Sequence, residues 1–198
     1  MSNTNYITVT DTAKLIRKAL KEAFPGIKFS VRSEGGRGAS IDVRWTDGPA
    51  EQQVADVCDR FRGGYFDGSI DYRGTVYALM GGQRVRFGAD FVFYRRDYSP
   101  AVLARIVDRV AREWGIAATV EQYEAGSLYA TYPSGNASGH SMQSLINIAR
   151  ARHTCMLSRP SATADGVEVI GSDGYSLSNG SGKAFGDDEV IAKLARAK

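Results

Sequence analysis

Thiol and imidazole side chains could perform nucleophilic chemistry in this sequence, but both are scarce. The 198 residues contain two cysteines, Cys58 and Cys155, and two histidines, of which His153 lies two residues before Cys155. A Cys–His pair can act as nucleophile and base or contribute to a metal site, but structural zinc needs four ligands and no other such cluster lies near. Cys58 falls on the apolar stripe of a predicted helix, the usual place of a small buried hydrophobe. The sequence therefore predicts no catalytic residues, no metal and no cofactor.

Two carboxylates, Asp67 and Asp71, lie four residues apart in the stretch FDGSID. Paired acids can bind magnesium or perform acid–base catalysis, but an Asp-Gly pair is also a common turn. We interpret the two as a turn residue and a solvated strand residue. The stretch GSGK at residues 180–183 is not a phosphate loop, because alanine follows its lysine and the upstream glycine of that motif is missing.

Basic side chains give the clearest candidate binding surface. One group follows helical spacing on a predicted first helix, opposite its apolar stripe, and a second group flanks the most apolar strand. The candidate binding residues are Lys14, Arg17, Lys18, Lys21, Arg84, Arg86, Arg95 and Arg96. Such groups can contact phosphates or an acidic protein surface, and solvated helix faces and strand ends give the same pattern.

Composition is that of a soluble globular protein, with 43% hydrophobic residues, 24% charged residues and a net charge of +3. No run of 18 apolar residues predicts a membrane span, and the first residues lack the pattern of a secretory signal. Two cysteines cannot define a disulfide scaffold. We therefore expect a cytoplasmic protein that has no membrane partner.

The pattern of helices and strands predicts an α+β fold, with a mixed, mainly antiparallel sheet and packed helices. A first helix begins at a cap, Asp11 or Thr12, and residues 27–45 alternate as a hairpin. A helix follows it, a third helix begins after Ser99, and a fourth ends near residue 152. Residues 116–132 read as a second hairpin, so that two αββα units, at 10–62 and 99–152, would be joined by central strands. The alternative to an internal duplication is coincidence, because this order of helices and strands is common.

Domain organisation follows from composition. Residues 1–157 are predicted to form the α+β domain, and residues 158–198 a Gly/Ser-rich tail with a short C-terminal helix. Within the domain, Phe91 and Phe93 occupy one face of a strand, and Val92 and Tyr94 the other. Because both faces are largely apolar, we predict a central strand that is covered on each side.

Four blocks in fixed order resemble a known family: TAKLIRKALKEAFPGIKFSVRS, SIDVRWTDGP, FDGSIDY and GADFVFYRRDYS. They are similar to the large polyvalent protein-associated domain, type 29, over roughly residues 10–100. This resemblance implies an accessory protein of a phage, plasmid or conjugative element, of a kind often suspected of countering host defence. It carries over no catalytic residue.

Three functions remain open at this point. The resemblance favours a non-enzymatic, anti-CRISPR-like inhibitor that binds a host defence protein or ribonucleoprotein complex. The basic residues favour a nucleic-acid-binding module of a mobile element, for which basic side chains mixed with exposed aromatic ones would be the signal. The third is an enzyme with an unrecognised active site.

Overall fold

The computed structural model describes residues 4–36, 38–68, 70–135 and 139–172. The strands, in chain order, are β1 (Asn5–Ile7), β2 (Ser30–Glu34), β3 (Ser40–Thr46), β4 (Gly64–Asp67), β5 (Tyr72–Met80), β6 (Gln83–Phe87), β7 (Phe91–Asp97) and β8 (Val167–Ser172). The α-helices are α1 (Val9–Ala23), α2 (Glu51–Cys58), α3 (Pro100–Trp114), α4 (Val120–Glu124), α5 (Met142–Arg152) and α6 (Ala162–Asp165). Single 3₁₀ turns form at Asp59–Phe61 and Ser127–Ala130. The predicted α+β class is confirmed.

The chain folds as two compact units. Of the described residues, the first unit comprises those in 4–44, 52–95 and 158–172, and the second comprises those in 45–51 and 96–157. One sheet of the first unit has the order β1-β6-β5-β4, with β8 paired to β5. Its only parallel pair among the described strands is β1 with β6, and the other pairs are antiparallel. The mixed, mainly antiparallel sheet predicted from the sequence is thus confirmed.

Helix α1 begins one turn earlier than the predicted cap residues. The hydroxyl of Thr8 accepts a hydrogen bond from the backbone N–H of Asp11 at 3.1 Å, so Thr8 is the cap and Asp11 lies in the first turn. The apolar stripe of α1 is fully buried: Ala13, Ile16, Ala19, Leu20 and Ala23. This stripe packs the helix against β2 and α6.

A second sheet has the order β2-β3-β7. Strands β2 and β3 form the predicted antiparallel hairpin, in which Val31 pairs with Val43. Alternation buries Val31, Ile41 and Val43 on the side that α1 covers. The prediction that β7 is covered on both faces is wrong. Val92 is buried, but the Phe93 side chain is 56% exposed, so the side of β7 that carries Phe93 is open to solvent.

The second unit is helical apart from its strand ends. Ser99 caps α3 and Ser141 caps α5, as their sequence patterns predict. The core lies between α3, α4 and α5 and contains Val102, Ile106, Val107, Val110, Tyr123, Leu128, Met142 and Ile146.

The hairpin predicted over residues 116–132 is wrong, and with it the second αββα unit. Thr119 and Gln122 form a capping box that starts α4, since each side chain accepts a hydrogen bond from the other residue's backbone N–H. Gly126 then adopts a φ of 70° and leads into the 3₁₀ turn at Ser127–Ala130. Residues 116–132 therefore hold helical turns where the predicted repeat required two strands.

The segment predicted to begin a tail folds onto the first unit. Glu22 of α1 accepts hydrogen bonds from the Ser161 hydroxyl at 2.8 Å and from the Thr163 backbone N–H at 2.9 Å. Residues 162–165 form α6, and β8 pairs with β5 from Val76 to Met80. The Gly/Ser-rich stretch from residue 173 and the predicted closing helix lie outside the described residues.

Candidate functional site

The exposed side of the sheet β2-β3-β7 combines aromatic and basic side chains. We call this surface the outer face, and its residues are Arg32, Asp42, Arg44, Phe91, Phe93 and Arg95. All six alternate along their strands with buried residues of the opposite side. All six also belong to the first unit. Because the strands are extended and adjacent, they present these side chains as one continuous surface.

Two phenylalanines form the aromatic part of the outer face. The rings of Phe91 and Phe93 are stacked, with centroids 6.1 Å apart and planes inclined by 14°. Arg95 is two residues further along β7, so it lies on the same side and is also exposed. Phe93 is exposed and Phe91 is half-buried, and an exposed large apolar side chain that extends such a pair is a mark of interaction surfaces.

A buried carboxylate positions a further arginine beside the Phe91 ring. Asp90 is only 7% exposed and forms an ion pair with Arg73, while the Nη2 atom of Arg86 lies 3.8 Å from Asp90 Oδ1. The guanidinium carbon of Arg73 lies 5.8 Å from the ring centroid of Phe91, within cation–π range. The backbone N–H of Asp90 donates to the carbonyl of Ala39 at 2.8 Å, which fixes the carboxylate at the start of β7.

Arginine also dominates the hairpin part of the outer face. The Nε and Nη2 atoms of Arg44 both donate to Asp42 Oδ2, at 2.8 and 2.5 Å. This hydrogen bonding holds the pKa of Asp42 below its usual value, and the charges of Arg95 and Arg32 lower it further. Three arginines therefore surround one carboxylate. A cleft of about 300 Å³ lies between Asp42 and β7, with Phe93, Arg95 and Glu34 among its lining residues.

The arrangement suits a ligand with flat rings and negative charge. Aromatic faces stack with nucleobases, and guanidinium groups contact phosphates or stack on the same bases. An open sheet that presents aromatic rings is one of the recurring solutions for single-stranded RNA. Basic side chains mixed with exposed aromatic ones are the signal for single-strand binding named from the sequence, and the structure locates them on the outer face.

The basic stripe predicted on α1 lies elsewhere, on the helix that covers the inner side of the sheet. Lys14 forms an ion pair with Asp11 at 2.8 Å, and Arg17 Nη2 donates to the Val31 carbonyl at 2.6 Å. Lys18 and Lys21 are exposed. The stripe exists as predicted, but half of it is occupied by contacts within the protein.

The four arginines around β6 and β7 do not form one patch. Arg84 places its guanidinium carbon 4.1 Å from the ring centroid of Tyr77, and Arg86 faces Asp90. Arg84 and Arg86 are thus half-buried side chains with neighbours of their own, and only Arg95 belongs to the outer face.

Arg96 is not a surface residue, which corrects its inclusion among the candidate binding residues. It is 6% exposed and donates to three backbone carbonyls: Asp47 at 3.0 Å, Gly48 at 2.9 Å and His153 at 2.5 Å. Its guanidinium carbon also lies 4.6 Å from the ring centroid of Tyr98. The sequence places Arg96 at a strand end, but it faces inward because it occupies the alternate position to Arg95.

The remaining reactive groups are dispersed. Cys58 is fully buried, and burial raises the pKa of its thiol far above its usual value. Asp67 ends β4 opposite Tyr72, while Asp71 occupies a turn at a φ of 50°. Among the described residues no group of three or more His, Cys, Asp or Glu side chains could hold a metal ion. Cys155 and His153 do lie in contact, with 3.4 Å between Sγ and Nε2.

Comparison with known proteins locates the matching segment. Residues 7–99 match the family model of the large polyvalent protein associated domain 29, which confirms the resemblance inferred from the sequence. The matched segment includes every residue of the outer face, and it supports an association with phages and other mobile elements. No curated protein and no solved structure matches the chain. Among the described helices, none has the length and apolar content that crossing a membrane requires.

Proposed function

We propose that this chain is a non-enzymatic accessory protein of a mobile element that binds single-stranded nucleic acid through its outer face. The observation that carries the proposal is the stacked pair of the half-buried Phe91 and the exposed Phe93, with Arg73 and Arg95 beside it. Base stacking on exposed rings contributes about 1–3 kcal/mol per base. The protein would act in the cytoplasm of the host cell, where single strands of a transferred element are present.

Single strands fit this surface better than duplexes do. In a duplex the flat faces of the bases are already stacked on one another, whereas an unpaired strand can lay them on Phe91 and Phe93. The three arginines of the outer face would then contact the backbone. Because stacking and phosphate contacts carry little sequence information, we expect weak sequence preference.

A titration of a fluorescently labelled oligonucleotide, followed by anisotropy over a salt series, tests the proposal. We expect binding at low salt that weakens as salt rises, with a slope of about −0.7 in log K against log salt for each phosphate contact. A duplex of the same sequence should bind more weakly than the single strand. Absence of binding at low salt, or a salt-independent affinity, would contradict the proposal. The oligonucleotide should stay intact during the titration, and its cleavage would contradict the non-enzymatic part.

A second candidate function is inhibition of a host defence assembly by binding one of its proteins. It is favoured by exposed tyrosines in the second unit, since Tyr129 and Tyr132, which are 57% and 63% exposed, lie three residues apart. Tyrosine is enriched among the residues that dominate protein–protein binding energy. Pull-down of defence components by the full chain, with plaque assays of immunity, tests this candidate. Replacing both tyrosines by alanine should abolish capture and restore immunity, and unchanged inhibition would argue against it.

A further inference from the structure

The contact between Cys155 and His153 is held from both sides by the backbone of the second unit. The backbone N–H of Cys155 donates to the Gly48 carbonyl at 3.1 Å, and that of His153 donates to the Arg150 carbonyl at 3.2 Å. The carbonyl of His153 accepts from Arg96, as described above. The thiol is nevertheless exposed to solvent. The pair is therefore fixed in position and open to a small reactant.

The electrostatic surroundings keep the imidazole neutral. Partial burial lowers the pKa of His153 below its usual value, and the charges of Arg96, Arg109 and Arg105 lower it further, against a smaller opposite effect of Asp47. A neutral imidazole can accept a proton at Nε2, where the thiol lies. The same arginines make the neighbourhood of the pair positive, which attracts an anionic reactant.

We propose that Cys155 is a redox modification site that forms a mixed disulfide with an anionic, low-molecular-weight disulfide of the glutathione disulfide type. His153 Nε2 takes the thiol proton, and the Cys155 sulfur attacks one sulfur of the disulfide. A new sulfur–sulfur bond forms as the old one breaks. The departing thiolate takes the proton from Nε2 and leaves as the free thiol, so one disulfide and one thiol are consumed and one of each is produced. This site is independent of the proposed nucleic-acid binding.

The chain contains its own negative control. Cys58 is fully buried, and its thiol has a raised pKa, so the same reagent should leave it unmodified in the folded protein. Peptide mapping by mass spectrometry distinguishes the two cysteines in a single reaction.

The first experiment measures the rate of modification of Cys155 by glutathione disulfide at pH 7. In His153→Gln we expect the rate to fall by about tenfold, a limited factor because an unassisted thiol is already a few per cent ionised at that pH. Equal rates in the wild-type chain and in His153→Gln, or modification of Cys58 as fast as that of Cys155, would overturn the proposal. Cys155→Ser should abolish the reaction.

The second experiment tests the charge preference without altering the pair. The exposed residues Arg105 and Arg109 are replaced together by alanine, and the modification rates by anionic glutathione disulfide and cationic cystamine are compared. We expect the preference for the anionic disulfide to fall by about tenfold, as electrostatic steering effects do. Arg112→Ala is the matched control, because Arg112 is exposed on the same helix but pairs with Asp108 at 2.7 Å. An unchanged preference in the double variant would overturn the assignment of an anionic reactant, even if His153→Gln failed to fold.

Discussion

The ring of Phe93 stacks on the ring of Phe91 on the uncovered side of β7, with their centroids 6.1 Å apart. Strand alternation explains the pairing, since residues two apart project to the same face. It does not explain why the Phe93 ring is 56% exposed, because an exposed ring gains little from folding. A stacked aromatic pair with one ring exposed beside arginines is instead the arrangement found where a protein binds a partner.

The first prediction separates the outer face from the α1 stripe. Arg32→Ala and Arg95→Ala should each reduce the salt slope of oligonucleotide binding by about 0.7, because each removes one phosphate contact. Lys18→Ala and Lys21→Ala are the matched controls, since both are exposed lysines on the opposite side of the sheet. If the lysine variants change the slope and the arginine variants do not, the binding surface is α1.

The second prediction concerns Arg96. Arg96→Met should lower the free energy of unfolding by about 3–5 kcal/mol, because the carbonyls of Asp47, Gly48 and His153 each lose a hydrogen bond from a charged donor. Arg96→Lys should be intermediate, since an ammonium group cannot match the planar guanidinium. Urea unfolding monitored by circular dichroism measures the change. A loss below about 1 kcal/mol for Arg96→Met would show that Arg96 is dispensable for the second unit.

The third prediction tests the close packing of Gly63, the residue before β4, against Phe87, the last residue of β6. A Cβ atom at Gly63 would lie 1.7 Å from the carbonyl oxygen of Phe87, which is backbone and cannot move freely. Gly63→Ala should therefore destabilise the first unit by about 3 kcal/mol in urea unfolding. The control is Gly35→Ala, where a Cβ would meet open space. Similar stabilities of the two variants would contradict the packing described here.

The fourth prediction follows from Glu22. Hydrogen bonds from the Thr163 backbone, then from the Ser161 and Thr163 hydroxyls, lower the pKa of Glu22 from its ordinary value of 4.5. Because the folded state binds the proton less readily than the unfolded state, Glu22 stabilises the fold above about pH 4.5, and this contribution is lost as the pH falls through the lowered folded-state pKa.

Comparison with Glu22→Gln isolates that contribution from other carboxylates. Thermal melts at several pH values should show the wild-type chain more stable than Glu22→Gln at pH 7, with the difference shrinking in acid. Glu113→Gln, an exposed carboxylate on α3, provides the control. A difference between the wild-type chain and Glu22→Gln that is constant with pH would contradict the role assigned to these hydrogen bonds.

Helices and the first hairpin could be predicted because their signals are local. Ser99 and Ser141 are capping residues ahead of periodic apolar stripes, and residues 30–46 alternate cleanly. Residues 116–132 combine an alternating pattern, which predicts strands, with a capping box, which starts a helix, and the helix forms. Thr119 followed three residues later by Gln122 is the sequence pattern of a capping box, and it indicates a helix start there.

The candidate site could not be located from the sequence, because the face of a strand that becomes buried depends on which elements, distant in the chain, pack against it. Alternation assigns Phe93 and Val92 to opposite sides of β7, but only the position of α1 over the sheet decides which side is covered. The burial of Arg96 likewise depends on carbonyls of residues 47, 48 and 153, far away in the chain. The arginines at alternate positions of the hairpin, Arg32 and Arg44, were the one available hint of a basic outer face.

The affinity of Phe93→Ala for a single-stranded oligonucleotide tests the central claim most directly. Because Phe93 is exposed, the variant should fold as the wild-type chain does while losing about 1–3 kcal/mol of binding free energy, which is about 5-fold to 150-fold in affinity. Phe66→Ala is the matched control, as that ring is 54% exposed in the same unit but lies outside the outer face. If Phe93→Ala binds as tightly as Phe66→Ala and the wild-type chain, stacking on the outer face does not hold the nucleic acid.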